Sequence, residues 1–135
     1  MALQITGNGK SIFVDIDPNF NRNPKTSDVM TIQDDVAIRT SLKNLLSTAF
    51  GERLFQPNVG GSLRPLLFEP IDSITTMEIR DRILNTIVNH EPRVGQVLVD
   101  VFSDPDENRY SVVVEYAVRT IGKIDRISIV LERIR

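Results

Sequence analysis

Cysteine is absent from all 135 residues, which excludes disulfides, thiolate nucleophiles and thiolate metal sites. Tryptophan is absent as well, and His90 is the single histidine. One imidazole cannot build a transition-metal site without carboxylate help. The net charge is only -2 and the basic residues form no run, so neither a nucleic-acid surface nor an anionic-membrane surface is expected. No apolar stretch approaches the roughly 20 residues of a membrane span. The N-terminus carries Gln4, Thr6, Asn8 and Lys10 among its apolar residues and does not read as a signal peptide. The expectation is a protein that acts where it is made, or that travels inside something larger.

What is present suits one domain with a modest core and an appended arm: 41% of the residues are hydrophobic. Residues 1–30 read as a hairpin turning at Asn8-Gly9, followed by an extended arm rich in turn formers from Asp15 to Lys25. Residues 31–135 read as an α+β domain. Thr31 is the expected cap of a first helix, whose apolar face carries Ile38, Leu42, Leu45, Leu46 and Ala49 and which stops at Gly51. The block from Gly51 to Pro70 holds too much glycine and proline for a regular element. It nevertheless carries Leu54, Phe55, Val59, Leu63, Leu66, Leu67 and Phe68, so a packed connection is expected, with Ser62 able to cap a short turn.

A second helix is expected from Asp72 or Ser73 to about Asn89. Its apolar arc comprises Ile74, Met77, Ile83, Leu84, Ile87 and Val88, with Arg80 inside it. Thr75, Glu78, Arg82, Asn85 and Asn89 form a polar stripe in which Glu78 and Arg82 are four apart. Three strands follow, over 97–102, 110–119 and 124–132, in the last of which Ile127, Ile129 and Leu131 alternate with polar neighbours. The fold class is thus α+β: two helices packed on a three-stranded antiparallel sheet, preceded by the N-terminal hairpin and arm. If the last strand lies at an edge, its unpaired backbone groups can accept a strand from another chain.

The period of the apolar residues changes from helical to alternating at Asn89-His90-Glu91-Pro92-Arg93-Val94-Gly95. Pro92 has no amide donor and pushes Glu91 out of the helical region, so the second helix ends here. Such a joint is expected to hold Glu91 and Arg93 on either side of a rigid residue, aimed outward for docking. The alternative is internal: both residues cap the helix end and link it to the sheet.

Other signals are weaker. Asp104, Asp106, Asn108 and Glu115 match four positions of a calcium loop, but Arg109 stands where the turn needs glycine, so an acidic hairpin loop is preferred. Gly60-Gly61-Ser62 lacks the ending of a phosphate loop and reads as a tight turn. Glu52, Glu69 and Glu91 are the carboxylates available for glycoside hydrolysis, with no obvious groove to hold a pair of them. No serine stands in a nucleophile context. No catalytic residue, metal, cofactor or small-molecule substrate is expected.

The run from Gly51 through Glu-Arg-Leu-Phe-Gln-Pro-Asn-Val-Gly-Gly-Ser to Leu63 is followed by Leu67-Phe-Glu and by Glu91-Pro-Arg-Val. Together with the upstream Asp15-Ile-Asp-Pro-Asn-Phe, it resembles the small baseplate-wedge protein family of contractile phage tails, which includes the TssE baseplate subunit of type VI secretion systems. The resemblance covers nearly the whole chain from about Phe13. It implies a structural subunit of the virion's tail baseplate, assembled in the bacterial host cytoplasm. It also implies that Glu91, Pro92 and Arg93 seat the protein on the core bundle of the other wedge proteins. A likeness to the strand-exchanging part of sheath subunits implies a platform where the tail sheath protein begins to polymerise, with Ile127, Ile129 and Leu131 marking the strand-addition edge. A lysozyme-like tail enzyme acting on peptidoglycan and a free-standing protein-binding regulator of the same fold are the alternatives.

Overall fold

The computed structural model describes residues 13–119 and 122–133. The hairpin expected at Asn8-Gly9 lies outside them. The chain forms two compact units, one up to Ile38 and one from Arg39 onward. Helix α1 (Asp34–Ser47) runs through the division.

In the first unit β1 (Val14–Ile16) pairs antiparallel with β2 (Thr31–Gln33), Val14 opposite Gln33 and Ile16 opposite Thr31. The segment expected to be extended instead folds back on itself, with a further bridge between Arg22 and Val29. Asp17 explains the fold-back. Its buried carboxylate accepts the Asn19 amide at 3.0 Å and the Asn21 Nδ2 at 2.8 Å, while its own amide donates to Met30 O at 2.9 Å. An aspartate satisfied by its own next residues makes a turn where composition alone predicts slack chain. Thr31 is therefore not a helix cap: its backbone belongs to the β-ladder, and the helix opens three residues later at Asp34. There the Asp34 amide donates to Phe13 O at 2.8 Å, and Asp34 Oδ1 accepts the Phe13 amide at 3.2 Å.

The second unit is built on an antiparallel sheet of order β3-β4-β5, comprising β3 (Val94–Asp104), β4 (Arg109–Val118) and β5 (Ile124–Glu132). This is the expected meander, and together with two helices it makes the fold α+β. The central strand β4 alternates strictly: Tyr110, Val112, Val114, Tyr116 and Val118 are buried and the residues between them half-buried. Helix α2 (Ser73–His90) packs on β3. Asp72 caps it, accepting the Thr75 amide at 2.7 Å.

The buried line of α2 is Thr75, Ile79, Ile83, Thr86 and Ile87, whereas Ile74, Met77, Val88 and Arg80 are exposed. The apolar arc is thus rotated from the expected one and takes in two threonines. Thr86 enters the interior without an unsatisfied hydroxyl because its Oγ1 donates to Arg82 O at 2.7 Å. The Glu78–Arg82 pair forms as spaced, at 3.3 Å.

The glycine-rich connection is held against the end of α1. Gly61 donates its amide to Leu45 O and Thr48 O at 3.1 and 3.0 Å and Ser62 its amide to Thr48 O at 3.4 Å, so these two amides cap the helix and do not face outward to an anion. A Cβ on Gly60 would stand 2.4 Å from Thr48 O, and Gly60 has a φ of +147°. Past this point Leu63, Leu66 and Leu67 enter the core, the latter two on a short 3-10 helix, Arg64–Phe68, that has no side-chain cap from Ser62. Leu54 and Phe55, expected inside, are 90% and 97% exposed at the tip of the preceding loop.

Two glycine replacements separate close approach from backbone strain. Gly51 has φ +80° with open space where its Cβ would go, so Gly51→Ala should cost about 1 kcal/mol. Gly60→Ala must also displace the Thr48 carbonyl and should cost about 3 kcal/mol. Denaturant melts of the two variants check the order.

Candidate functional site

Helix α2 ends at His90, and the Glu91 amide still donates to Ile87 O at 2.9 Å although Glu91 itself has left the helical region with φ -123° and ψ 82°. Pro92 is exposed. Arg93 O accepts the Arg119 amide at 2.9 Å, and Val94 opens β3 opposite Val118. A register shift between Val94 and Val97 then puts a bulge at Gly95 and Gln96. The corner is therefore tied to the sheet within two residues of the proline.

Glu91 does not point outward. Its side chain is 4% exposed and accepts three bonds: from Arg93 Nε to Oε1 at 2.7 Å, from Arg93 Nη2 to Oε2 at 2.9 Å, and from Ser41 Oγ on α1 to Oε2 at 2.7 Å. Burial pushes the Glu91 carboxyl up, but the Arg93 and Ser41 hydrogen bonds and the Arg93 charge outweigh it, and the net shift is downward. The linkage is internal, but it runs from Glu91 to Arg93 and to Ser41 on α1. A fork-on-carboxylate pair of this kind fixes the plane of the guanidinium. Arg93, 20% exposed, is the part of the cluster that reaches the surface beside Pro92.

The other named residues fall elsewhere. Ile127, Ile129 and Leu131 share one face of β5, where Ile127 is buried and the other two half-buried, and among the described residues no further strand pairs with β5 beyond β4. Around the acidic hairpin, Arg109 pairs with Glu107 at 2.7 Å and Asp104 at 3.5 Å. Glu115, the twelfth position of the calcium pattern, stands opposite Arg126 on β5 and accepts its Nε at 2.9 Å. Among the described residues no group of three or more His, Asp or Glu is arranged to hold a metal ion. Glu52 accepts the Ala49 amide at 2.8 Å, while Glu69 is exposed.

One cluster escaped the sequence reading. Asp125 takes Arg39 in a forked pair, Nη2 to Oδ1 at 2.7 Å and Nε to Oδ2 at 3.2 Å, and also accepts Tyr116 Oη at 3.1 Å. Burial, with Asp125 adjacent, pushes the Tyr116 hydroxyl up to about 12. The signal was available: Asp125 lies in phase with Ile127, Ile129 and Leu131, and a carboxylate on the inward face of a strand requires a cation.

Residues 33–122 match the family described as baseplate wedge protein gp25. The baseplate wedge protein gp25 of Enterobacteria phage T4 is 29% identical over 120 residues, 89% of each chain. Among solved structures, a Geobacter sulfurreducens protein with a provisional tail-lysozyme name aligns with a TM-score of 0.68 and 24% identity, over 78% of this chain and 97% of its own. A chain of the type VI secretion system baseplate complex aligns at 0.61 and 14%, over 71% and 90%. These two structural likenesses are at the level of the fold.

The folded-state carboxyl of Glu91 lies below its ordinary value of 4.5. Its contribution to stability is therefore complete above the ordinary value and is lost as pH falls through the lower folded one. The stability gap between the wild type and Glu91→Gln should be constant from pH 7 to about 5 and shrink below about pH 4. Thermal melts across that range read it.

Proposed function

The chain belongs to the baseplate wedge protein gp25 family and is a structural component of a contractile-tail baseplate, and we propose that it docks on the other wedge proteins through the corner at Glu91, Pro92 and Arg93. In the same reading the β5 edge serves the tail sheath protein as the platform where sheath polymerisation begins by strand addition, within a baseplate assembled in the host cytoplasm. The observation that carries the docking role is the Ser41–Glu91–Arg93 cluster. Glu91 is consumed in holding Arg93, so the corner offers a guanidinium of fixed orientation next to an exposed, rigid proline. Preorganisation of this kind lowers the ordering cost of association.

A peptidoglycan-cleaving role needs a carboxylic acid kept protonated near neutral pH. Glu91 is held in the opposite, ionised state. A free-standing regulator would make the corner equally rigid, but the family to which the chain belongs is one of baseplate wedge proteins.

Arg93→Ala leaves Glu91 buried and half-paired, and should cost about 3 kcal/mol as well as docking. Replacing both charges, Glu91→Leu with Arg93→Met, removes the buried ion and should keep the fold. Co-expression with the wedge proteins of the same tail, followed by affinity purification, should recover a complex with the wild type and none with the folded double variant. A complex of undiminished yield would overturn the docking role.

A further inference from the structure

Resting on the strand-addition reading of β5, we propose that the edge is selective for an extended segment bearing acidic side chains on both of its faces. The phase of the strand is set by its end: the Arg133 amide donates to Asn108 O at 2.8 Å, so odd-numbered residues turn their backbone groups toward β4. Even-numbered residues, Arg126, Ser128 and Val130 among them, turn theirs outward. Of these the Arg126 amide is already engaged by Asp125 Oδ1 at 2.8 Å. Ser128 and Val130 remain as the hooks of the edge.

Beside these hooks runs a groove of about 170 Å³ lined by Arg39, Lys43, Arg126, Ile127, Ser128 and Ile129. Its charged side chains are all cations, and they flank the edge from two sides. Arg39 and Lys43 are one turn apart on α1. Arg126 lies on the opposite face of the sheet, where it meets Glu115. Each arginine is committed to its acid through Nε and Nη2, which leaves Nη1 directed away from that partner. Lys43 is exposed.

A strand laid on Ser128 and Val130 would alternate its side chains between these two sets. Those facing α1 would meet Arg39 and Lys43, and those on the open face Arg126. Lysine or arginine at such positions would meet Lys43 as a like charge and glutamate or aspartate would meet it as a counter-charge, while Arg39 and Arg126, already holding Asp125 and Glu115, contribute as donors more than as net charge. The sheet edge supplies affinity through its backbone and the cations supply selection.

The probes are three peptides of equal length alternating Thr and Val, with Glu, Gln or Lys at the same positions, titrated by fluorescence anisotropy into the full chain. The Glu peptide should bind about tenfold more tightly than the Lys peptide at low salt, with the gap closing as salt rises. Lys43→Glu should narrow that preference. Val130→Pro or Ser128→Pro, each at an outward amide and so sparing the ladder to β4, should abolish binding of all three peptides while circular dichroism is unchanged. Equal binding of Glu and Lys peptides, still abolished by proline, would overturn the acidic selectivity and leave strand addition standing. Binding of no peptide, or binding indifferent to both prolines, would overturn strand addition itself.

Discussion

A single buried carboxylate joins the pieces of the second unit. Glu91 sits where α2 ends, receives a hydroxyl from α1 through Ser41, and holds the arginine that leads into β3. A charge removed from water in this way is tolerated only because every approach to it is a donor. The interaction is therefore demanding in geometry: shift α1 along its axis and Glu91 loses the Ser41 hydroxyl; lengthen the chain between α2 and β3 and it loses its counter-ion. The proline between the two charged residues makes that demand easy to meet, because it fixes the turn that brings Arg93 back onto Glu91.

A second ionic tie does comparable work between α1 and the far edge of the sheet. Arg39 and Ser41 stand near the start of the helix's run in the second unit and reach, respectively, Asp125 on β5 and Glu91 beside β3. One helical turn thus contacts polar groups at both margins of a three-stranded sheet, while Leu42, Leu45 and Leu46 of the same helix are buried. The apolar contacts supply most of the stabilisation, and the ionic ones fix where the helix lies.

The order of elements from α1 onward, the meander and the break at Pro92 were legible in the sequence because each rests on local rules: proline geometry, glycine and asparagine turns, and the alternation of β5. The burial of Glu91 was legible only as one of two alternatives, because its partner Ser41 is fifty residues away. The apolar arc of α2 was misjudged because hydropathy cannot see Thr86 returning its hydroxyl to Arg82 O. Leu54 and Phe55 were expected inside on composition, yet their loop is stapled by its own backbone, with the Gly51 amide on Pro57 O at 2.7 Å, and does not need them for packing. The fold-back at Asp17 depended on an aspartate that is neither charged surface nor cap. The residues pointed to a docking corner and a strand-accepting edge, and family resemblance supplied the wedge proteins and the sheath as the partners expected there.

The bond from the Arg126 amide to the side chain of the preceding aspartate has a further effect. An open margin of a sheet invites copies of the same chain to zip together, and soluble proteins commonly guard against it. Here one hook is withdrawn by the carboxylate of the residue before it. Pairing of two such margins is thereby one hydrogen bond poorer than the length of β5 allows.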